Sequence, residues 1–428
     1  MTFERGAAHP ADQTTVRRAN LGVVLRDVAA AGPRSRAQIA AETGLTRGTV
    51  SSLVTELIEL ELLRETGETT SPSGIGRPGV ALELSDVHVG VGLEVNVDHI
   101  AVSIEDLTGT VRYERRTYKE NRGAAPGPVL DRLGSAATSA LRAATAEGLR
   151  PVGITVAVAG IVEEATGTVV HAPNLGWHDL PVAAELERRL GLAVHVENEA
   201  NLAALAEHWT GAAVGIDDFV CVFGEIGVGG GVVLGGRLFR GSHGFGGEFG
   251  HVSVTPDGRR CACGSRGCVE TLAGQESIAR AAGLTVGEGR TKGLTAELLR
   301  RAQAGDEPVV AALGAAGRSL GLALASTFNL LDLRAVVLGG CFGPLSPWLL
   351  DDVRATLFER SLAARSSDVV VLPAAFGDGA AVRGAAALSL RHVLDAPWIV
   401  GATVDDRSRA RPLVVRRAPQ REVAIGRR

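Results

Sequence analysis

The chain has 428 residues, of which 45% are hydrophobic and 21% charged, and its formal net charge is -4. This length allows two or three domains with sizeable cores. The nearly balanced charge excludes a global attraction to nucleic acid or membranes, so any DNA-binding surface must be local. The N-terminus lacks the apolar segment of a signal peptide, and no apolar run reaches the roughly 20 residues of a membrane span. Since it has five cysteines in all, we expect a protein of the reducing cytoplasm.

The first 85 residues carry the pattern of a helix-turn-helix. After a lead of 1–13, expected to be disordered, a first helix is predicted from about Thr14 to Ala31. Ser35 is positioned to cap a second helix and Thr46 a third, and Gly44 allows the tight turn between them. In the third helix the apolar residues follow the i, i+3, i+4, i+7 spacing of one buried face. They are Val50, Leu53, Val54, Leu57 and Leu60.

The other faces of that third helix are small, polar or basic, as in a recognition helix that reads DNA base edges. Two short strand-like segments then flank a loop rich in glycine, serine and proline, which predicts a wing. Residues 14–85 are therefore predicted to form a winged helix-turn-helix DNA-binding domain, and a protein-interaction domain of the same shape is the alternative. The candidate DNA-contacting residues are Arg34, Arg36, Arg47, Thr49, Ser51, Ser52 and Arg77.

From about Val87 onward, short β-branched runs alternate with alanine-rich helical segments. Runs such as "VGITVAV" and "AVVLGG" predict buried strands, and "EPVVAALGAAGRSLGLALASTFNLLD" predicts a long helix. This alternation predicts an α/β architecture with largely buried sheets. After about Ala396 the sequence turns basic and loses its periodicity, so residues 396–428 are expected to be a basic flexible tail.

Three of the five cysteines lie close together in one short segment. Cys261, Cys263 and Cys268 follow His251 with the spacing H-x9-C-x-C-x4-C, and two glycines lie between the thiols. Thiolates with an imidazole favour Zn²⁺ in tetrahedral geometry, and four protein ligands would close its coordination shell. We therefore predict a structural zinc site, with a redox pair or a chance cluster of thiols as the alternatives.

Several motifs around this cluster resemble the signature of the ROK family, which comprises repressors, open reading frames and sugar kinases. They are "GGEFGHVSV", the C-x-C-G-x-x-G-C-x-E run, "VGGGVVLGGRLFRG", "APNLGW", "VENEANLAALAEHW" and "NLLDLRAVVLGG". The resemblance extends from about Val87 to about Asp395. Because the chain also begins with a winged helix-turn-helix pattern, it resembles the regulator branch of the family.

The resemblance implies a two-lobed, actin-like (ribonuclease-H-like) domain with a sugar site in the cleft between the lobes. The first lobe would span 86–205, completed by a helix at about 379–395, and the second lobe would span 206–378 with the zinc loop. His251 would serve both sites, because one ring nitrogen can bind the metal while the other contacts a sugar hydroxyl. By matching motifs, the sugar-binding residues would be Asn174, Asn198, Glu199, Glu248, His251 and Glu270.

Three departures from the kinases of this family point away from phosphoryl transfer. The family's Asp-x-Gly-Gly-Thr turn, whose backbone N–H groups cradle ATP phosphates, is represented here by residues 94–97, "EVNV". Glu199 stands in the place of the catalytic aspartate and is one methylene longer. Glu225 and Ile226 stand in the place of a Gly-Thr pair. Since phosphoryl transfer depends on positioning, no catalytic residue is expected and the protein is predicted not to be an enzyme.

These observations predict a sugar-responsive DNA-binding transcriptional regulator of carbohydrate-metabolism genes, in this family most often a repressor. Its expected partners are operator DNA, a small-molecule sugar and further copies of itself, as a homodimer or homotetramer that reads a palindrome. Zn²⁺ would be its structural cofactor. An ATP-dependent sugar kinase with an added domain is the second hypothesis, and a sugar-binding scaffold that does not bind DNA is the third.

Overall fold

The computed structural model describes residues 13–70, 79–285 and 293–400. These residues form two compact units. One unit runs up to Ser85 and resumes at Arg391, and the other spans Asp86–Leu390. Arg77, residues 1–12 of the predicted lead and residues 401–428 of the predicted tail lie outside the described residues.

The N-terminal unit is built from three helices and a small antiparallel sheet. The helices are α1 (Gln13–Ala31), α2 (Arg36–Thr43) and α3 (Arg47–Glu59). The strands are β1 (Arg34–Ser35), β2 (Leu63–Thr70) and β3 (Gly79–Leu84). They pair in the order β1-β3-β2, with β3 antiparallel to both neighbours. Helices α2 and α3 with this sheet behind them are the predicted winged helix-turn-helix.

The predicted caps of the two short helices are confirmed. The Ser35 hydroxyl accepts a hydrogen bond from the Gln38 backbone N–H at 3.4 Å, and the Gln38 side chain accepts one from the Ser35 N–H at 2.8 Å. This reciprocal pair is a capping box. Gly44 ends α2 in the left-handed conformation with a φ of 71°. Thr46 then begins α3 by accepting a hydrogen bond from the Thr49 N–H at 3.2 Å.

Two boundaries in this unit differ from the sequence prediction. Helix α1 begins at Gln13, which was assigned to the lead. Leu60 lies one residue beyond α3 and is half-buried, whereas the four other residues of the predicted apolar face are buried. The chain turns at this point, and Leu62 and Leu63 fill the core in its place.

The prediction of a flexible tail from residue 396 is wrong for its first five residues. Pro397–Ile399 form a 3-10 turn within the N-terminal unit. The guanidinium of Arg18 lies over the ring of Trp398, 5.5 Å from its centroid, and Arg26 pairs with Asp395 at 3.0 Å. A tryptophan ring offers apolar surface and a face over which a cation can lie. The contact between Trp398 and Arg18 gives the start of this segment a defined structure, although the segment as a whole is basic.

The first lobe of the larger unit contains a five-stranded mixed sheet, a three-stranded sheet and three helices. The strands are β4 (His88–Val95), β5 (His99–Asp106), β6 (Val111–Tyr118), β7 (Arg150–Val158), β8 (Ile161–Glu163), β9 (Thr168–Ala172), β10 (Trp177–Leu180) and β11 (Val194–Asn198). The helices are α4 (Pro126–Ala146), α5 (Val182–Leu190) and α6 (Glu199–Thr210). The sheet orders are β11-β7-β4-β5-β6 and β10-β9-β8. Strand β4 is buried along its whole length, as expected for a central strand covered on both faces.

The second lobe repeats this plan with a five-stranded sheet in the order β14-β13-β12-β15-β16. Its strands are β12 (Phe219–Gly224), β13 (Val228–Leu234), β14 (Arg237–Leu238), β15 (Ala335–Gly340) and β16 (Val370–Pro373). Its helices are α7 (Glu270–Ala273), α8 (Gln275–Ala281), α9 (Leu294–Gln303), α10 (Glu307–Leu331), α11 (Phe342–Leu345), α12 (Leu350–Arg360) and α13 (Leu362–Arg365). The chain ends its larger unit with α14 (Ala380–Asp395), whose residues after Leu390 belong to the N-terminal unit.

Helix α10 is the one described helix that is long and apolar enough to cross a membrane. Its most apolar 18-residue stretch is 56% buried inside the protein. Residues such as Leu313, Leu320, Leu324 and Phe328 belong to the main hydrophobic core of the second lobe. The apolar composition of α10 is therefore that of a core helix.

Close backbone contact joins α14 to the central strand of the first lobe. A Cβ atom on Gly92 would lie 2.0 Å from the Val382 carbonyl oxygen, and one on Gly90 would lie 2.2 Å from that of Ala386. On the neighbouring strand β7, the Thr155 hydroxyl lies 2.8 Å from the Ser389 hydroxyl of α14. Glycine at both positions of β4 is thus required for α14 to pack on the sheet.

We predict that Gly92→Ala lowers the free energy of unfolding by about 1–3 kcal/mol, the usual cost of overpacking a core. The added methyl group would meet the rigid Val382 carbonyl, and the helix would have to move. Thermal and urea unfolding of the full chain measure the effect. Gly127→Ala is the matched control, because its Cβ would have no atom within 4 Å. An unchanged unfolding midpoint for Gly92→Ala would contradict this packing.

Candidate functional site

The cysteine segment folds into a tight hairpin-like loop between β14 and α7. Ser253 and Cys268 form an antiparallel bridge, and the Cys261 N–H donates to the Ser265 carbonyl at 2.8 Å. Gly267 has a φ of 65°, and a Cβ there would lie 1.6 Å from the Thr255 carbonyl oxygen. Only glycine fits such a close approach in that backbone conformation. The glycines thus let the loop fold back and bring the three thiols together.

The four predicted metal ligands converge. One donor atom from each of His251, Cys261, Cys263 and Cys268 lies within 4.8 Å of all the others. The sulfurs of Cys263 and Cys268 are 3.8 Å apart, and the Cys261 sulfur is 3.7 Å from Nδ1 of His251. In a tetrahedral zinc shell, Zn–S bonds of about 2.3 Å and Zn–N bonds of about 2.1 Å place donors roughly 3.6–3.8 Å apart. The donor set and its spacing therefore fit a zinc ion.

The loop supplies little to stabilise these thiols as anions. Burial raises the pKa of Cys261 to about 12, and burial also raises the pKa of Cys268. Two of the three thiols are buried, and Cys263 is exposed. A thiolate binds a metal, and a bound cation compensates the cost of burying negative charge. With four protein ligands in place, the shell would have no open position for a substrate.

Two of the expected sugar-binding acids flank this loop. Glu248 precedes the 3-10 turn that carries His251, and one of its carboxylate oxygens lies 3.8 Å from Nε2 of His251. Glu270 begins α7, and its carboxylate accepts a contact from the Cys261 thiol at 3.5 Å. Because Nδ1 of His251 faces the thiols, Nε2 is the nitrogen left for the carboxylate side. The double role expected of His251 is therefore sterically feasible.

Glu270 also contacts the turn between β12 and β13. Its carboxylate accepts a hydrogen bond from the Val228 N–H at 3.4 Å. A Cβ on Gly227 would lie 2.0 Å from the same carboxylate, so the turn approaches it closely. Glu225 is on the other side of this turn, and its carbonyl accepts from the Gln275 N–H at 3.0 Å. The turn thus connects the zinc loop with a second group of acids.

That second group is organised around the amide of Asn96, in the turn between β4 and β5. The Asn96 amide donates to the Glu199 carboxylate at 3.2 Å and makes a short contact with the Glu225 carboxylate. Asn96 is buried, and the residues Glu199 and Glu225 are half-buried. These three residues come from three separate segments that were expected to correspond to the phosphate-handling parts of a kinase. In this chain they contact one another directly.

A third carboxylate, Glu94, lies behind them with no exposed surface and no hydrogen-bond partner among the described residues. Nε2 of His99 is 3.5 Å from its carboxylate, and the guanidinium of Arg116 is 3.9 Å away. Burial alone would lower the pKa of His99, but the hydrogen bond to Asp98 and the nearby negative charge of Glu94 outweigh it and raise that pKa to about 10. His99 is therefore a cation at neutral pH.

Burial and the crowding of acids also raise the pKa values of the two neighbouring carboxylates, Glu225 and Glu199. Burial, followed by repulsion from Glu94, raises the pKa of Glu225 to about 8. Burial and the charges of Glu225 and Glu94 raise the pKa of Glu199 well above its ordinary value. Desolvation and like charges both favour the neutral carboxylic acid. The three acids Glu94, Glu199 and Glu225 thus outnumber the two cations near Glu94. These cations are His99 and Arg116.

The two asparagines expected to bind sugar behave differently. Asn198 caps α6, accepting from the Ala200 and Asn201 N–H groups at 2.8 and 3.2 Å, and it donates to the Gly160 carbonyl at 2.9 Å. Its side chain therefore has a structural role in addition to any contact with a sugar. Asn174 lies in the turn between β9 and β10 and is half-buried. Within the described chain, no hydrogen bond joins it to either group of acids.

Sequence reasoning missed three residues of this site. Asn96, His99 and Arg116 were given no role, although they organise the acids. The signal available was weak: a histidine follows an acid in "NVDH", and an arginine interrupts the strand "VRYERRTY". Their convergence depends on the register that places Glu94 of β4 beside Ala101 of β5, and Ala101 beside Arg116 of β6. That register is set by how the three strands pair, so a short-range sequence pattern does not reveal it.

The candidate DNA-contacting residues differ in whether they pair with another residue of the domain. Arg34 pairs with Asp27 at 3.4 Å, and Arg36 pairs with Glu65 at 3.0 Å, so both are partly neutralised within the domain. Arg47 is exposed at the start of α3 and forms no ion pair with a described residue. Thr49 is half-buried and contacts Thr46, whereas Ser51 and Ser52 are exposed. The exposed beginning of α3 is the surface best suited to contact DNA.

Three known proteins are similar to this chain over most of its length. The xylose repressor of Bacillus subtilis is 29% identical over 386 residues, which cover 90% of this chain and 98% of that protein. A ROK family transcriptional regulator described as a homologue of the E. coli MLC protein has a TM-score of 0.75 at 26% identity, over 90% of this chain and 100% of that chain. A ROK family glucokinase from Streptomyces griseus, solved with glucose and AMPPNP, has a TM-score of 0.61 at 30% identity, over 71% of this chain and 99% of that chain.

The two regulators match both units of the chain, whereas the glucokinase is similar to a smaller part of it. The model of the ROK family matches residues 90–392. This chain therefore belongs to the ROK family, and its architecture is that of the family's regulators.

Proposed function

We propose that the protein is a sugar-responsive transcriptional repressor of carbohydrate-metabolism genes. The observation that carries the proposal is the match to regulators over 90% of the chain, including the DNA-binding domain. Asn174, Asn198, Glu199, Glu248, His251 and Glu270 would contact the sugar. Carboxylates accept paired hydrogen bonds from vicinal hydroxyls, and amides both donate and accept. A sugar can change DNA binding only if it binds one arrangement of the protein better than another.

We propose that His251, Cys261, Cys263 and Cys268 hold a structural Zn²⁺. The donor spacing supports this proposal, as does the burial of two thiols. When bound, the ion would supply rigidity to the loop and no reactive position. Nδ1 of His251 would be the ligand, and Nε2 would remain available to Glu248 or to a sugar hydroxyl. The loop would then hold Glu248 and Glu270 in fixed positions beside the cleft.

A sugar kinase is the less supported alternative, because the sugar kinases to which this chain is similar, such as the Streptomyces griseus glucokinase, match a smaller share of it than the regulators do. Asn96 joins the two turns that would have to separate to admit a triphosphate. Glu225 adds a carboxylate at that place, where a kinase needs backbone donors and cations. Both features favour a binding protein.

The remaining parts of the proposal concern the assembled protein. A palindromic operator would be read by two copies related by two-fold symmetry, so a homodimer or homotetramer is proposed. The candidate DNA contacts are Arg47, Thr49, Ser51 and Ser52 of α3, with Arg34, Arg36 and Arg77 as additional candidates. The protein would act in the cytoplasm, where thiols remain reduced and free to bind metal.

The first prediction concerns the metal. The purified full chain should contain about one zinc ion per chain by elemental analysis. Cys268→Ser should lose most of that zinc and unfold at a lower temperature, since the loop would lose a ligand. Cys221→Ala is the control, because Cys221 is buried in β12 outside the loop and its replacement should leave the zinc content intact. Full zinc occupancy in Cys268→Ser would refute this assignment of ligands.

The second prediction concerns DNA. Arg47→Ala should weaken the binding of a DNA ligand selected in vitro with the full chain, and it should reduce the salt dependence of the affinity by about one released ion. Mobility-shift titrations at several salt concentrations measure both quantities. Arg300→Ala, on α9 of the larger unit, is the control and should change neither. An affinity that does not depend on salt would be evidence against DNA binding by this surface.

The third prediction concerns nucleotide. A coupled assay with ATP and a panel of monosaccharides should detect no phosphorylation at the roughly 1–100 s⁻¹ of ordinary kinases. A non-hydrolysable ATP analogue should leave the melting temperature unchanged, while an effector sugar raises it. Turnover at kinase rates would replace this proposal with the alternative.

A further inference from the structure

We infer that His171 and His178 form a binding site for a divalent transition-metal ion of the Cu²⁺ or Ni²⁺ type. The two residues lie on β9 and β10, on either side of the turn that carries Asn174. Nδ1 of His171 is 3.0 Å from Nδ1 of His178. None of the residues proposed to bind zinc or sugar belongs to this histidine pair.

The pairing of the two strands brings these side chains together. In the antiparallel register His171 of β9 stands directly opposite His178 of β10. The next pair along, Ala172 and Trp177, is buried. Because successive side chains of a strand point to opposite faces, the two histidines share the other face of the hairpin. There His171 is half-buried and His178 is exposed, so an ion in solution can reach the pair.

The hairpin that carries the histidine pair is fixed by contacts of its own. The indole N–H of Trp177 donates to the Ala124 carbonyl at 3.2 Å. In the turn, the N–H groups of Leu175 and Gly176 both donate to the Ala172 carbonyl, at 3.1 and 2.9 Å. Gly176 has a φ of 74°, a conformation that favours glycine. Two donors that are already held close together lose less freedom when they bind an ion, which raises the affinity.

The orientation of the two rings favours an ion site over a well-directed hydrogen bond. In an end-to-end N–H···N hydrogen bond, each ring centroid lies behind its nitrogen, so the centroids are a full ring width farther apart than the nitrogens. Here the centroids are 4.4 Å apart and the nitrogens 3.0 Å apart, and the ring planes meet at 44°. These values fit two rings that diverge from a common point on the Nδ1 side. An ion at that point would be bonded to both nitrogens.

The separation of the two nitrogens indicates which ions suit the pair. Two bonds of about 2.1 Å that meet at a right angle place their donors about 3.0 Å apart, whereas a tetrahedral angle places them about 3.4 Å apart. The observed 3.0 Å is the right-angle value. Cu²⁺ and Ni²⁺ prefer square-planar or tetragonal surroundings with nitrogen donors, and such donors bind them more tightly than they bind Mn²⁺, Fe²⁺ or Co²⁺.

Water would fill the other coordination positions of the ion. Among the described residues, no third histidine, cysteine or acid joins the pair in a ligand cluster. The site would therefore be open, unlike the closed shell proposed for the cysteine loop. It also lacks thiolates, so the ion would be held by imidazole nitrogens alone. The two sites thus differ in the ions that they favour.

The test is a calorimetric titration of the zinc-containing, tag-free full chain with Ni²⁺. About one nickel ion per chain should bind, and the zinc content measured after dialysis should stay the same. His171→Gln and His178→Gln should each weaken nickel binding by about a hundredfold, because a single imidazole loses the gain of chelation. His243→Gln is the matched control and should bind nickel like the parent chain, since His243 is an exposed histidine outside the pair.

Thermal unfolding supplies the second measurement. Nickel should raise the melting temperature of the parent chain and of His243→Gln, but not that of His171→Gln or His178→Gln. Without nickel all four proteins should melt at nearly the same temperature, which separates loss of the ion from loss of the fold. Undiminished nickel binding in both pair variants would overturn the inference. Absence of nickel binding in the parent chain, or release of one zinc ion for each nickel ion bound, would overturn it as well.

Discussion

The proposed sugar site depends on the convergence of one imidazole and three thiols from a single loop. Their donor atoms already lie at the spacing that a tetrahedral ion requires. The loop has few large apolar side chains, and its path requires glycine where Gly267 meets the Thr255 carbonyl. The proposed zinc ion would therefore add rigidity that the loop's own side chains do not supply. Glu248 and Glu270 are attached to its two ends and owe their positions to it.

A second constraint acts at the opposite end of the site. In a kinase, two glycine-rich turns leave room for a nucleotide and direct N–H groups toward its phosphates. Here, Asn96 of one corresponding turn contacts Glu225 of the other, and its amide also donates to Glu199 at the start of α6. These contacts are the structural basis for proposing a binding protein with the fold of a sugar kinase.

Local features were predictable from the sequence because their causes are local. The caps at Ser35 and Thr46, the turn at Gly44 and the apolar face of α3 each depend on residues within a few positions. The convergence of His251 with the three cysteines was also predictable, since three cysteines so close together in a cysteine-poor chain indicate a metal site. The family resemblance supplied the two-lobed fold, which periodicity alone indicates only as an α/β class.

What could not be predicted depends on contacts between distant segments. The pairing of Arg36 with Glu65 comes from the packing of β2 near α2, and it changes how much charge the domain offers to DNA. The dual engagement of Asn198 becomes visible only when the bend at Gly160, between β7 and β8, lies beside the start of α6. The partners of Glu94 follow from the register of three strands, and the ordered turn around Trp398 follows from its contact with α1. Short-range patterns contain none of this information.

The central claim is that a metal-bound loop holds the acids that bind the sugar. The most direct measurement is the affinity of an effector sugar for the full chain before and after removal of zinc with a chelator, and again after zinc is restored. The account predicts that the affinity for the sugar falls sharply in the metal-free protein and recovers when zinc returns. Removal of zinc should change the affinity for DNA, measured without sugar at a fixed salt concentration, only slightly. Equal sugar affinity with and without the metal would contradict it.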